Sequence, residues 1–389
     1  MNRTFTVEQD EWRAEVREFL DAELPPEMAR STEFTEDEDY WDFALQFTTK
    51  VAQKGWIGLT WPKEYGGLAR PTLDRLILAE EFTYSEAPLT NTIGWGLAAG
   101  AILFGGSEEQ KRRFLPSIAR NETFWVEGFT EPGADSDLAS LATRADRDGD
   151  EWVISGQKTF TTWGSHGDVI FLAARTDQEI AKHRGISIFC VDMNAPGVSV
   201  APLYNLGGGR QNNTFFDRVR VAGDMLIGEE GRGWDLIMNA FYGASGVAAP
   251  YAGYQKRLEE LVAHCQTARR NGRLLIDDPM VRDRLAELAL IVEAERLLTY
   301  ESLSNRAAGR RPAFAGALGT VVAKEAMPRF AEIYNGVLGT LGQLSRGSRW
   351  APLDGWPEAW YRQSFRNHAG GTPQVKRMVL AMRGLELPR

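Results

Sequence analysis

Hydrophobic residues recur with a helical period through the first part of the chain. In the opening segment they lie on one stripe, at Trp12, Val16, Phe19 and Leu20. Thr6 and Gln9 form a capping box that predicts where this helix begins, and Ser107 with Gln110 forms a second box. The same period predicts helices over residues 37–53, 74–84 and 93–104. The start of the chain is therefore predicted to be helical.

The period changes to that of β-strands near Thr123. Short apolar or alternating runs are separated by Gly, Asp, Asn and Pro, as strands are separated by turns. These runs occupy residues 152–154, 169–173, 186–191, 198–201 and 215–221. A β domain is therefore predicted in the middle of the chain.

The helical period then returns and continues to the C-terminus. Asp278 as N-cap followed by Pro279 predicts a long helix that ends near Gly309. Further helices are predicted over residues 315–338 and from Thr372 onward. The order of elements predicts an α+β multidomain fold with boundaries at residues 1–122, 123–232 and 233–389.

The composition is that of an ordinary globular protein, with 43% hydrophobic and 25% charged residues among 389. The net charge of −9 argues against a nucleic acid or an anionic membrane as partner. No apolar run is long enough for a transmembrane helix. Cys190 and Cys265 indicate a reducing compartment and belong to no metal-binding pattern. We therefore expect a cytoplasmic protein without a metal site.

Residues 129–137, with the sequence FTEPGADSD, stand between predicted elements. Thr130 and Ser136 offer hydroxyl groups there, and the region of Gly133 offers backbone N–H groups. Such a loop suits a planar heterocycle or a phosphate-bearing ligand. A polar β-turn without a ligand is the alternative interpretation.

Residues 155–163, with the sequence SGQKTFTTW, combine an aromatic ring with several hydroxyl groups. The Ser155-Gly156 dipeptide predicts a hairpin turn. The strand after it carries Phe160 among three threonines, Thr159, Thr161 and Thr162. Aromatic and hydroxyl side chains that emerge together can stack on a ring and hydrogen-bond to it. A half-buried edge strand is the alternative interpretation.

Residues 370–377, with the sequence GGTPQVKR, form a glycine turn before the last predicted helix. With Thr372 as N-cap, the free backbone donors of the helix N-terminus offer an anion site. Simple helix capping is the alternative interpretation.

Taken together, these strings resemble the acyl-CoA dehydrogenase flavoprotein family, over essentially the whole chain. FTEPGADSD is similar to the family's TEPGAGSD loop, SGQKTFTT to NGQKxWIT, and GGTPQVKR to GTSEIQR. Two earlier strings, GWIGLTWPKEYGG and SEEQKRRFL, also resemble family signatures. GRLLIDDP and the LPR ending resemble the bacterial subgroup that acts on steroid side-chain, dicarboxylic and other bulky acyl-CoAs.

The resemblance implies an α-helical N-terminal domain, a β-barrel-like middle domain and a C-terminal helical bundle. It also implies FAD as cofactor, an acyl-CoA thioester as substrate, and a tetramer in which Gly336–Gly342 lies at a subunit interface. Phe160 would stand where the family's Trp packs on the flavin, and Thr162 near flavin N5. Matching positions give the full set of FAD-contacting candidates as Phe129, Thr130, Ser136, Phe160, Thr161, Thr162, Gly336, Gly339, Thr372 and Gln374.

The family chemistry needs a carboxylate that removes the α-proton of the thioester while the β-hydrogen leaves as hydride. The family places this carboxylate at one of two positions, which here hold Ala244 and Gly370. No acidic residue lies between Asp235 and Glu259, so a small alignment shift does not supply one. Glu127 is a candidate replacement, with a purely structural carboxylate as the alternative.

Three functions therefore remain open. The first is an FAD-dependent acyl-CoA dehydrogenase that forms the 2,3-enoyl-CoA. The second is a non-catalytic FAD- or CoA-binding subunit that pairs with a base-bearing homologue, so the assembly is either a homotetramer or a heterotetramer. The third keeps the fold and the flavin but carries out a different reaction, in which no α-proton is removed.

Overall fold

The computed structural model describes residues 5–29, 38–180, 182–207, 210–242, 248–310, 314–365 and 370–388. A helical region comes first, a β-sheet follows, and a second helical region completes the chain. This order confirms the predicted α+β fold class. Within the described residues, no helix combines the length and the apolar character that a membrane crossing needs.

Two helices of the N-terminal region begin where the capping boxes predict. The Thr6 side chain accepts a hydrogen bond from the Gln9 backbone, and the Gln9 side chain accepts one from the Thr6 backbone. Ser107 and Gln110 repeat this arrangement. A π-helical turn at Gly94–Ala98 precedes the fourth helix. The helices are α1 Val7–Glu23, α2 Glu38–Gln53, α3 Thr72–Tyr84, α4 Ala99–Gly105 and α5 Glu108–Ala119.

The middle region is one eight-stranded sheet with the strand order β6-β7-β3-β2-β4-β5-β8, to which β1 adds by pairing in parallel with β4. Its strands are β1 Trp125–Gly128, β2 Arg144–Asp148, β3 Glu151–Thr162, β4 Val169–Arg175, β5 Ile186–Asp192, β6 Val198–Tyr204, β7 Arg210–Ala222 and β8 Leu226–Ile227. Strand β4 buries both of its faces. Ile170 and Leu172 pack within the sheet domain, whereas Phe171 and Ala173 pack in the core shared with the N-terminal helices. The sheet is thereby joined to the helical region by apolar contact.

The predicted hairpin turn at Ser155-Gly156 is wrong. The turn between β2 and β3 falls at Gly149, and Ser155 and Gly156 lie inside β3. The pairing register with β7 shifts between Ile154 and Gly156, which marks a β-bulge. A Cβ at Gly156 would lie 2.6 Å from the Thr143 hydroxyl, so glycine permits a close approach of strands here rather than a turn.

The C-terminal region is helical, with one two-stranded ribbon. The long helix α8 begins at Pro279, and Asp278 accepts a hydrogen bond from the Met280 amide at 2.9 Å, as the sequence predicts. The helices are α6 Gly233–Tyr242, α7 Pro250–Thr267, α8 Pro279–Ala307, α9 Ala315–Leu338, α10 Trp356–Ser364 and α11 Pro373–Val379. The ribbon pairs β9 Arg269–Arg270 with β10 Arg273–Leu274.

Candidate active site

A cavity of about 540 Å³ lies where the three regions meet. Helix α3 and the π-helical turn supply one wall, β1 and the end of β3 supply another, and α7, α9 and α10 close it. Its lining is rich in aromatic side chains, namely Trp56, Phe82, Trp95, Trp125, Trp163, Tyr254, Phe330, Tyr334 and Trp360. A volume of roughly 300–1,000 Å³ and a mainly apolar wall are typical of small-molecule sites.

A buried ion pair holds the FTEPGADSD loop against β3. The Lys158 ammonium lies 2.7 Å from Glu131 Oε1 and 3.1 Å from the Phe129 carbonyl oxygen, and its side chain is 0% exposed. The Glu131 carboxylate also accepts hydrogen bonds from the amides of Ala142 (2.6 Å) and Thr143 (2.8 Å). The two strings are thereby fixed to each other by a buried polar network.

The same network sets the charge state of Glu131. Burial acts to raise the pKa of this carboxyl, but the attraction and hydrogen bond of Lys158 and the hydrogen bonds from residues 142–143 outweigh burial. The pKa of Glu131 therefore lies below its usual value. A backbone hydrogen bond from the Thr159 amide to the Thr130 carbonyl (2.9 Å) completes the link between loop and strand.

The end of β3 presents Phe160 and Thr162 outward and Thr161 inward. Phe160 has φ of 59° and is 47% exposed, and the register with β7 shifts again between Lys158 and Thr161. This irregularity turns the Phe160 ring out of the sheet. Thr162 is half-buried on the cavity wall, and its hydroxyl accepts a hydrogen bond from the side-chain amide of Gln211 at 3.2 Å. Thr161 is buried and its hydroxyl accepts one from Thr214 at 3.2 Å.

The FTEPGADSD loop exposes its predicted hydroxyls to different degrees. Thr130 is half-buried, whereas Ser136 is exposed. The Phe129 ring is buried against Phe171, with ring centroids 5.8 Å apart, and its carbonyl oxygen accepts a hydrogen bond from Lys158, so Phe129 anchors the loop from its buried side. The amides of residues 131 and 134 bond within the turn, which leaves Gly133 as its exposed backbone position.

The C-terminal candidates occupy two places on the helical region. Thr372 caps α11 by accepting a hydrogen bond from the Val375 amide at 3.2 Å, and Gln374 is exposed beside it. Arg377 of the same helix pairs with Glu325 near the middle of α9. Gly336 lies farther along α9, by about 16 Å at a helical rise of roughly 1.5 Å per residue. Gly339, Thr372 and Gln374, like Gly336, are not among the described residues that line the cavity.

The structure describes two of the three candidate positions for the base, Gly370 and Glu127. Ala244 falls in 243–247 and lies outside the described residues. Gly370 has no side chain and adopts φ of 70° in the turn before α11. Glu127 is half-buried on β1, where burial raises its pKa to about 7, and it is not among the described residues that line the cavity.

Sequence reasoning missed three charged residues of the cavity wall, namely Arg75, Glu86 and Arg257. The Glu86 carboxylate contacts Arg257 at 2.9 Å and Lys256 at 3.5 Å. A signal for Arg75 existed, because it shares one helical stripe with Leu78, Ala79 and Phe82, and all four line the cavity. A charged residue on an apolar stripe points to a special site.

Comparisons with known proteins cover the whole chain. The family models for acyl-CoA dehydrogenase N-terminal, middle and C-terminal domains match residues 6–122, 127–219 and 231–385. Acyl-CoA dehydrogenase FadE26 of Mycobacterium tuberculosis is 34% identical over 100% of this chain and 99% of its own length. The ChsE4-ChsE5 complex from Mycobacterium tuberculosis aligns with a TM-score of 0.91 at 33% identity, over 100% of both chains. The Tcur3481-Tcur3483 steroid ACAD aligns with a TM-score of 0.90 at 32% identity, also over 100% of both chains.

Proposed function

The chain belongs to the acyl-CoA dehydrogenase family, and from this membership we propose that it takes part, with FAD, in oxidising an acyl-CoA thioester to the 2,3-enoyl-CoA. The observation that carries the proposal is the aromatic cavity where the helices meet the sheet, with Thr162 and Trp163 on its wall. This cavity is large enough for an acyl group, and its apolar wall excludes water from a C–H oxidation.

The residues around the end of β3 fit FAD. Phe160 offers an exposed ring for stacking, and Thr162 a hydroxyl at the cavity wall. Thr130 and Ser136 offer hydroxyls on the loop that Lys158 and Glu131 hold in place. When bound, FAD supplies the acceptor for the hydride equivalent that leaves the β-carbon. The chain's own contribution is to orient the acyl group beside this acceptor and to keep the site dry.

The positions of the C-terminal candidates support an FAD site completed by a second subunit. Gly336 and Gly339 lie at one end of α9, whereas Thr372 and Gln374 lie beside its middle. None of these four is among the described residues that line this chain's own cavity, and of the other six candidates only Thr162 lines it. We propose that they contact the cofactor of a neighbouring subunit in a tetramer.

Flavin retention tests this proposal. The purified chain should bind FAD, and Thr162→Val should bind it about 2- to 10-fold more weakly, because one hydrogen bond is worth roughly 0.5–1.5 kcal/mol. Thr159→Val is the matched control, since the Thr159 hydroxyl bonds to Asn213 at 2.7 Å within the sheet. A protein that stays colourless after incubation with excess FAD contradicts the proposal.

Two observations favour a second candidate, a subunit that works only beside a base-bearing homologue. Two similar solved structures carry the paired names ChsE4-ChsE5 and Tcur3481-Tcur3483, and the family resemblance assigns the positions of the base to Ala244 and Gly370 in this sequence. We infer that this chain supplies an FAD- or CoA-binding half of a heterotetramer.

Native mass spectrometry and an enoyl-CoA assay separate the candidates. With a base-bearing homologue present, the second candidate predicts a tetramer with full flavin and activity, and little activity from the chain alone. A homotetramer of this chain alone, with full flavin and ordinary turnover, contradicts it and favours the first candidate. If flavin and acyl-CoA both bind in every assembly but no enoyl-CoA forms, a different flavin reaction is indicated.

A further inference from the structure

The described lining of the cavity carries an unbalanced positive charge. Its described lining contains three charged side chains, the cations Arg75 and Arg257 and the carboxylate of Glu86, which leaves a net charge of +1. Glu86 lies 2.9 Å from Arg257, so these two charges compensate each other. Arg75 is therefore the source of the excess charge.

Arg75 has no carboxylate partner among the described residues. Its side chain is enclosed, with the residue only 8% exposed, and one guanidinium nitrogen donates to the Trp56 carbonyl oxygen at 3.2 Å. The guanidinium carbon lies 4.6 Å from the centre of the Trp95 ring. One backbone acceptor and an aromatic face leave the remaining N–H donors of the fork available.

The neighbouring acids of α3 are all directed elsewhere. Asp74 pairs with Arg70 at 2.7 Å. Glu80 accepts from Arg13 at 2.6 Å and also from two tyrosine hydroxyls, and Glu81 pairs with Arg17 at 2.8 Å. The side chains that follow Arg75 on its stripe, Leu78, Ala79 and Phe82, are apolar. The cation thus faces a cavity in which nothing on its own helix neutralises it.

Burial lowers the pKa of Arg75 to about 10, so the guanidinium still carries its charge at neutral pH. A buried cation without an anionic partner is unfavourable, and a ligand anion in the cavity relieves that cost. A guanidinium fork also matches the two oxygens of a carboxylate.

We propose that Arg75 binds a carboxylate in the acyl group itself, so that the preferred ligand is the CoA monothioester of a dicarboxylic acid. This inference rests on the proposed function, because it assumes that the cavity holds the acyl chain of a CoA thioester. The apolar stripe along α3 contacts the methylene chain between the two carbonyl carbons, and Arg75 lies at the distal carboxylate. Selectivity comes from charge pairing in a site that excludes water.

Calorimetric titration of the FAD-loaded protein with matched thioesters tests the inference. Adipoyl-, suberoyl- and sebacoyl-CoA are compared with hexanoyl-, octanoyl- and decanoyl-CoA. At least one dicarboxylic thioester should bind about 30-fold or more tightly than its monocarboxylic counterpart, since breaking a desolvated charge pair typically costs that much affinity. Arg75→Gln should remove this preference while leaving the monocarboxylic affinity within a few fold.

Two further variants and the wild-type comparison keep the test decisive. Arg75→Lys keeps the charge and should retain part of the preference, whereas Arg70→Gln, which changes a cation outside the lining, should retain all of it. Equal binding of both thioester types at all three lengths overturns the inference and leaves the proposed function standing, even where Arg75→Gln fails to fold. Persistence of the preference in Arg75→Gln also overturns it. Failure of every thioester to bind overturns the proposed function and this inference together.

Discussion

Replacing Lys158 by methionine is expected to destabilise the protein and to weaken its hold on flavin. The Lys158 ammonium is completely buried, 2.7 Å from Glu131 and 3.1 Å from the Phe129 carbonyl oxygen. Methionine keeps an unbranched apolar side chain but removes the donor. Breaking a buried pair typically costs about 3–5 kcal/mol. Because the amides of Ala142 and Thr143 still donate to Glu131, we expect the lower end, about 3 kcal/mol.

Thermal unfolding measures this loss. At roughly 2–4 °C per kcal/mol for a domain of moderate size, Lys158→Met should lower the melting temperature by about 6–12 °C. Lys182→Met is the matched control, because Lys182 pairs with Asp137 at 2.9 Å with both side chains more than half exposed (61% and 64%). An exposed pair is worth only about 0–1 kcal/mol. Flavin retention after dialysis should fall in Lys158→Met and not in the control.

The pH dependence of the stability difference between wild type and Lys158→Met gives a second check. The pKa of Glu131 lies below its ordinary value of 4.5 in the folded protein, so its stabilisation is complete above that pH and is lost as pH falls through the lower folded pKa. Protonated Glu131 no longer needs a cation, so the gap between wild type and Lys158→Met should narrow in acid. A variant no less stable than Lys182→Met, or a gap that stays constant with pH, refutes the reasoning.

Two other substitutions have expected outcomes. Ala244→Glu should raise the rate of flavin reduction by an acyl-CoA under anaerobic conditions by about 10²–10⁴-fold, because it supplies a general base. The matched variant Ala244→Gln should not raise this rate, and ordinary turnover by the wild-type chain alone contradicts the prediction. Glu295 is buried without a hydrogen-bond partner for its carboxylate in the described part of the chain, and burial raises its pKa to about 8. The folded state therefore prefers the protonated form and loses stability as pH rises from 4.5 toward 8. Glu295→Gln should therefore gain up to about 4 kcal/mol relative to wild type between pH 5 and pH 8, measured by unfolding at both pH values. Glu293→Gln, at a partly exposed ion pair with Arg296, should gain nothing comparable. An equal effect of Glu295→Gln at both pH values contradicts the assignment.

The sequence predicted best those features that local interactions decide. The boxes at Thr6 and Ser107 mark real helix starts, because each cap bonds to a backbone amide three residues away. The prediction of a turn at Ser155-Gly156 was wrong because long-range strand pairing, and not a local interaction, decides the structure there. A dipeptide alone cannot distinguish a turn from a bulge, since the difference lies in the pairing of β3 with β7.

The charged groups of the site were less predictable, because tertiary contacts decide their roles. Lys158 stands in the string GQKTF, which suggests a solvated lysine, and only the fold brings it to Glu131, 27 residues earlier. Glu86 meets Arg257 across 171 positions of sequence. Arg75 was missed too, although its place on an apolar helical stripe is visible in the sequence.

The charge pattern of the cavity also bears on how a proton leaves the substrate. Among the described lining residues Glu86 is the sole acid, and both of its oxygens contact cations. A general base must be free to accept a proton, so Glu86 is poorly placed for this role. Glu127 has a suitable pKa of about 7, but it is not among the described lining residues. These placements support our proposal that the carboxylate which takes the α-proton comes from outside the described lining of this cavity. The comparison of the isolated chain with its co-expressed assembly measures this dependence.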